Sequence, residues 1–407
     1  MLCGIDLEKA LELMCEGVCA LDPEDADLLA ANGRVLAEDI VSSADQPPFP
    51  RSPLDGYAFD AADSEGASRE RPVILKVAEK IYAGAWSDRT VRRGEAVKLM
   101  TGAMIPKGCN CVIMQEDTDE GEDAVRIYKR LKPDENYCFA GEDYKKGERL
   151  LPAFARIDPA AMAVIAGAGR ARVRVIRKPR VSVISTGDEL AAPGGPRGQG
   201  AIYCSNNYYI EARLVEMGAE IVSSHIVRDD AAALEAAVES AAAESDIVLS
   251  TGGVSVGEKD LLLRVLEAMG ADIVFQRVNI KPGSPAIFSR YGDARLLALS
   301  GNPFASAASL ELLVWPLLAA LTGDRTLTPV RVSAVLANDF NKKGGVRRFV
   351  RGRFDGVAVR LPDGHSNGQI RSLIGCNCLI DIPPGSGGLK AGDRVFVLLF
   401  PGAAVFR

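Results

Sequence analysis

Residues 246–257 read DIVLSTGGVSVG, and this run decides the class of the largest domain. Asp246 to Thr251 is a short apolar stretch of strand length. Gly252 and Gly253 then break the extended chain, and a helical pattern, KDLLLRVLEAM, begins at residue 259. A strand that opens through glycines into a helix leaves free N–H groups facing the loop, which suits a phosphate or pyrophosphate. The same alternation continues on both sides. Strands are predicted at 181–186, 220–227 and 272–278, with two more near AIFS and RLLALS. Helices are predicted at 206–217, 231–243, 259–269 and from Pro303 to about Leu321. Such βαβ units imply a mostly parallel sheet covered on both faces.

In an open α/β sheet, ligands bind beyond the carboxyl ends of the strands. Here those ends deliver Gly187-Asp188-Glu189, Arg228-Asp229-Asp230, the Gly252–Asp260 loop, Lys281-Pro282-Gly283-Ser284 and Gly301-Asn302-Pro303. Carboxylates beside an anion site repel the anion unless a divalent cation lies between them. Asp188, Glu189, Asp229 and Asp260 therefore suggest Mg²⁺. Lys281 adds a compact positive charge for an oxyanion. Either Asp229 or Asp230 also serves as the N-cap of the 231–243 helix. The chain has neither GxxxxGK[ST] nor GxGxxG, which argues against the common NTPase and dinucleotide-binding classes.

The flanks differ in character. Residues 6–21 read as a helix with Asp6 at its N-cap. Pro47, Pro48, Pro50 and Pro53 then force extended backbone. Residues ~70–150 alternate β-rich runs with turn signals, and ~328–407 reads as a second small β domain. RARVRVIRKPR at 170–180 alternates as a half-buried strand with a solvated basic face, and Arg347, Arg348, Arg351 and Arg353 read the same way. The fold class is thus α/β plus all-β. The proposed division is a linker subdomain in two pieces (1–45 and 144–178), a β-rich insertion (46–143), an α/β domain (179–326) and a C-terminal β domain (327–407).

Bulk composition excludes several functions. The 407 residues are 47% hydrophobic and 25% charged, the profile of a folded globular chain. A net charge of −6 speaks against non-specific nucleic-acid binding. Two histidines argue against a multi-His metal site, and nine cysteines without a CxxC read as reduced thiols of a cytoplasmic protein. Asp6, Glu8 and Glu12 interrupt any leader-like apolar run. The longest apolar stretch, 305–321, contains Glu311 and Pro316, so no membrane span is expected.

Three further positions stand outside the α/β domain. Asp55 lies in the Pro-constrained PFPRSPLDGYAFD, Thr101 ends the strand-like KLMT, and Asp143 follows Ala140-Gly141-Glu142. Each has an ordinary reading as a turn or strand boundary.

Taken in order, PFPRSPLDGYA, KLMTGA, AGEDY, STGDEL, STGGVSVGEKD, IKPGSPA and SGNP resemble molybdopterin molybdenumtransferases of the MoeA type and the E domain of gephyrin. The first three motifs separate this family from the adenylyltransferases and competence-damage-type proteins that share the GG loop. The resemblance implies an elongated homodimer with a molybdopterin-binding α/β domain. It implies adenylylated molybdopterin and molybdate (or tungstate) as substrates, Mg²⁺ as cofactor, release of AMP, and possible contact with the molybdopterin adenylyltransferase. The family's catalytic positions fall on Asp55, Thr101, Asp143, Glu189, Asp229 and Asp260, with Glu189, Asp260 and Asp229 as metal ligands. The substrate set falls on Gly252, Gly253, Ser255, Lys281, Ser284, Asn302, Pro303 and Arg351, with Ser366 and Asn367 matching more loosely. The family site is completed across the dimer by the partner's insertion. Three departures stand out: Ser284 replaces the second lysine of KPGKP, Ser300 replaces the first proline of PGNP, and Arg277 stands where the family often has lysine. Competing readings are a non-catalytic molybdopterin-binding scaffold, a tungstate-inserting variant, and a phosphoanhydride hydrolase with another substrate.

Overall fold

A computed structural model describes residues 1–254 and 261–402. Its largest sheet has seven strands, built around Ile247–Thr251. In spatial order the strands are Leu2–Ile5, Asp272–Val278, Ile287–Tyr291, Ala294–Leu299, Ile247–Thr251, Arg180–Thr186 and Glu220–Val227. The last four pair in parallel, as βαβ units require. The sheet is mostly parallel, as expected; Ile287–Tyr291 is the exception, antiparallel to both neighbours. The reason is chain length: Gly292 and Asp293 join it to Ala294–Leu299 as a hairpin, whereas a parallel return needs a crossover of a dozen or more residues.

Helices cover both faces. Leu214, Phe304, Leu313 and Leu317 pack with Val183 and Leu249 on one side. Leu234, Val238 and Leu262 pack with Ile184 and Val248 on the other. Among the described residues, one helix is long and apolar enough to cross a membrane, Pro303–Thr322, and it is mostly buried inside this core. Its one acid, Glu311, sits in a π-helical turn and accepts hydrogen bonds from Arg213 Nε at 2.8 Å, Tyr209 Oη at 3.1 Å and Trp315 Nε1. A buried carboxylate persists only when its oxygens are paired in this way.

The N-terminal helix is shorter than expected, Leu7–Cys15, because Gly17 turns left-handed at φ +68°. Asp6 holds the N-cap position without a side-chain cap bond; its carboxylate instead accepts from Asn279 Nδ2 at 3.3 Å. Residues 2–15 also join the α/β sheet rather than the linker. Leu2–Ile5 pairs with Asp272–Val278, and Leu7, Ala10 and Met14 enter the main core. The apolar face of that helix is buried there and not against its sequence neighbours.

The basic run 170–180 has a local cause. Arg172–Ile176 pairs antiparallel with Pro23–Asp27, setting Arg172 opposite Asp27 and Arg174 opposite Asp25, while Val173 and Val175 are buried. Cross-strand charge complementarity explains the alternation. The insertion is a five-stranded sheet spanning Gly56–Phe59 to Ala124–Ile127.

The C-terminal strands Arg347–Phe354, Ala358–Arg360, Val330–Leu336, Arg394–Leu399 and Cys378–Ile382 close into a barrel. Val350 and Phe354 point into it; Phe349 belongs to the α/β core. Strand alternation puts Arg351 on that outward side, where it is fully buried, which corrects the solvated reading of this residue. Arg347 likewise is no bare surface charge: it pairs with buried Asp381 at 2.7 Å.

Candidate functional site

The carboxyl ends of the parallel strands frame a cleft of about 440 Å³. Thr186, Glu189, Asn206, Gly252, Gly253, Asn302 and Pro303 line it. The glycine pair is dictated by backbone geometry. Gly252 has φ +90°, and a Cβ there would lie 2.3 Å from the carbonyl oxygen of Thr186. Gly253 is also left-handed, at φ +68°. Gly301 packs against the same loop, its Cβ position 3.4 Å from Gly252 Cα. Glycine therefore lets two neighbouring strand ends and a helix start meet at van der Waals distance around the cleft.

Carboxylates border this loop. Asp230 caps the helix Ala231–Glu244, its side chain accepting from Ala233 N at 2.8 Å. Asp229 does not line the cleft itself; it accepts from Thr186 Oγ1, which does, at 2.8 Å, and its own N–H donates to Asp188 Oδ1 at 3.3 Å. Glu189 folds back over Gly187, with Oε2 2.6 Å from the position of a Cβ on that glycine. Ser255 and Asp260 lie outside the described residues. Among the described residues no three His, Cys, Asp or Glu side chains gather as a metal cage. The oxygen donors present still suit Mg²⁺, which takes one or two carboxylates and completes its shell with water and substrate phosphates.

Asp55 and Thr101 come together on the insertion. Asp55 Oδ1 accepts from Thr101 Oγ1 at 2.7 Å and from Thr101 N at 2.6 Å. These two bonds hold the Asp55 carboxyl below its ordinary value. Gly56 is a strand residue rather than half of a tight turn: a Cβ would lie 1.9 Å from Ile113 O. Asp143 is exposed, its N–H bonded to Gln46 O at 2.9 Å. None of Asp55, Thr101 and Asp143 lines the Gly252 cleft of its own chain.

Lys281 and Ser284 stand apart from that lining as well. Ile280–Lys281 pairs in parallel with Arg347–Phe354 of the barrel, and Ser284 O accepts from Val278 N at 3.0 Å. Arg351 reaches the region from below. Its guanidinium carbon sits 3.8 Å from the centroid of Phe304, the residue following Asn302-Pro303. Nη2 donates to Ser366 O at 2.9 Å, and Nε and Nη1 have no partner among the described residues. Burial pushes its pKa down. Asn367 O accepts from Phe304 N at 2.9 Å, so the loosely matched 366–367 loop does reach the helix start.

Two cleft residues escaped the sequence reading as site residues. Thr186 is buried and orients Asp229. Asn206 donates from Nδ2 to Gly301 O at 3.0 Å, tying one helix start to the next. Their signal was present as hydroxyl and amide residues at a strand end and a helix start, the positions where such groups bond backbone or ligand.

The MoeA N-terminal region (domains I and II) matches residues 5–169, a probable molybdopterin binding domain matches 182–320, and the MoeA C-terminal region (domain IV) matches 333–400. The chain belongs to the MoeA family. It is similar to a molybdopterin molybdenumtransferase of Staphylococcus aureus (strain COL), 38% identical over 369 residues, covering 90% of this chain and 88% of that protein. A molybdopterin molybdenumtransferase of Staphylococcus epidermidis (strain ATCC 35984) is 37% identical over 372 residues with the same shares covered. Two structures of the molybdopterin biosynthesis MoeA protein from Pyrococcus horikoshii superpose with TM-scores of 0.86 and 0.82 at 32% identity, covering 98% of this chain and 100% of theirs. The MoeA architecture thus accounts for 98% of the chain, including the barrel.

Proposed function

We propose that this MoeA-family chain is a molybdopterin molybdenumtransferase acting in molybdenum cofactor biosynthesis, and that it inserts molybdate into adenylylated molybdopterin with release of AMP. The observation that carries the reading is the Gly252–Gly253 loop lying against Thr186 O, bordered by Glu189 and by the Thr186–Asp229 pair. Free N–H groups near a helix start bind phosphate oxygens, and carboxylates beside them call for a cation.

In this reading Gly252 and Gly253 cradle the phosphoanhydride, and Glu189 and Asp229, with Asp260, would hold Mg²⁺. The ion would supply charge neutralisation at the phosphate oxygens. Water attacks the molybdopterin phosphorus, the P–O bond to AMP breaks, and AMP leaves with the bridging oxygen and its electron pair. Molybdate then gains two Mo–S bonds to the dithiolene and loses one oxo group as water with the two thiol protons, with no change of oxidation state. Cleavage of this type rests on positioning and charge more than on a side-chain nucleophile, which agrees with the absence of histidine or cysteine in the named set. The orphaned donors of Arg351 support an oxyanion beside Phe304. Asp55, Thr101 and Asp143, off the cleft of their own chain, support completion of the site by a second copy in a homodimer. Nine free cysteines support a reducing, cytoplasmic setting.

The test is AMP release from adenylylated molybdopterin with molybdate, tungstate or neither, each with and without Mg²⁺. Oxyanion- and Mg²⁺-dependent release is the expected result. Tight pterin binding with no release under any condition refutes the transferase reading and favours a scaffold.

A further inference from the structure

The C-terminal barrel carries a second cleft, of about 700 Å³, which no step of the proposed reaction uses. Its walls include Arg353, Arg360 and Arg371, with Gln369, Pro362 and one acid, Asp363. Arg353 and Arg360 are directly opposed partners on adjacent antiparallel strands. Like charges in that register repel and weaken strand pairing. Arg371 stands on the short Arg371–Leu373 turn at the same cleft.

The rest of the barrel treats its cations differently. Arg331 and Arg347 share buried Asp381, and Lys390 pairs with Asp339 at 2.8 Å. Among the described residues none of Arg353, Arg360 and Arg371 has a carboxylate within salt-bridge distance, Asp363 included. Arg353 is oriented by its bond from Nη2 to Ile374 O at 2.8 Å and by the neighbouring Cys376 thiol. Gln369 is fixed through Oε1, which accepts from Ser366 N at 3.0 Å and leaves its amide N–H₂ to donate. Three planar cations thus surround one concavity with no neutralising partner among the described residues.

We propose that this cleft is a binding site for a phosphate-bearing anion. Guanidinium groups match phosphate oxygens in pairs, and a bound dianion removes the Arg353–Arg360 repulsion. The volume exceeds what inorganic phosphate alone fills and falls in the range of small-molecule sites, so a phosphate ester with a ring to set against Pro362 fits best. The inference does not depend on the reaction proposed above, whose residues lie in the other cleft.

The probes are inorganic phosphate, AMP and adenosine, added to the full chain at low ionic strength. Binding is read by calorimetry and by the shift in unfolding temperature. The variant is Arg360→Gln/Arg371→Gln, both exposed and without ion pairs among the described residues, so folding is preserved. The expected result is a temperature rise with AMP and a smaller one with phosphate, none with adenosine, and affinity lowered roughly tenfold or more in the variant. Arg360→Gln alone leaves the ligand-free unfolding temperature unchanged or higher, since it relieves repulsion. A phosphate response equal to that of AMP assigns the site to the free ion and supports the same chemistry. Undiminished binding in the variant, or no binding to the parent chain, overturns the proposal. AMP release in the variant reports separately on the transferase: if it persists while the binding result fails, only this site is refuted.

Discussion

Gly252→Ala offers the sharpest test of how the cleft is built. Two costs arise. An L-residue at φ +90° is strained by roughly 1–2 kcal/mol. The new Cβ also meets Thr186 O at 2.3 Å, so one of two hydrogen-bonded central strands must shift by most of an ångström. Forced overpacking of this kind adds about 1–3 kcal/mol. The total is about 3 kcal/mol. Gly218→Ala is the control, because its φ of +84° is similar and nothing lies within 4 Å of its Cβ. It incurs only the first cost. Trp315 is buried in the α/β core and Trp86 is exposed on the insertion, so fluorescence in a Trp86→Phe background reports this domain alone. With a urea slope near 2 kcal/mol/M, the unfolding midpoint falls by roughly 1.5 M for Gly252→Ala and about 0.5 M for Gly218→Ala. AMP release falls in the first and persists in the second. Equal midpoints for the two variants, or full release by Gly252→Ala, would refute the close-approach argument.

The remaining predictions concern neighbouring charges. Asp230→Ala removes a helix cap and lowers stability by about 1 kcal/mol with AMP release retained, whereas Asp229→Ala leaves the urea midpoint in place and abolishes release; reversed outcomes would undo the assignment of the two acids. Thr101→Val removes one of two donors to Asp55, so the Asp55 carboxyl moves up toward its ordinary value, visible by carboxyl NMR titration. Because that carboxyl is depressed in the folded chain, the contact is present at neutral pH and is lost as pH falls through the folded value. Asp246 follows the same sign. Burial pushes its carboxyl up, but the Arg177 guanidinium and Arg180 N–H outweigh this and hold it down. Stability from this group is complete above about pH 4 and disappears as pH falls through the depressed value. Asp246→Asn therefore flattens the acid limb of the stability profile; an unchanged limb contradicts the pairing.

Much was written locally. Glycines after strands, proline-rich crossovers and apolar runs of strand or helix length placed the α/β domain and the acids at its edge, because backbone permissiveness and side-chain period are properties of short segments. Three matters were not local. Whether Asp229 or Asp230 caps the helix depended on Thr186, a strand-end hydroxyl 43 residues away in the chain. The fate of Leu2–Ile5 depended on an open sheet edge formed by Asp272–Val278. Arg351 read as one more arginine in a basic strand; its burial against Phe304 arose from docking a barrel face on the α/β core. Sequence thus determined which residue types stand at each strand end and how each segment extends or turns. Only the tertiary structure decided which of those residues share a cleft and which charges lose water, because desolvation and cross-strand register are set by elements distant in the chain.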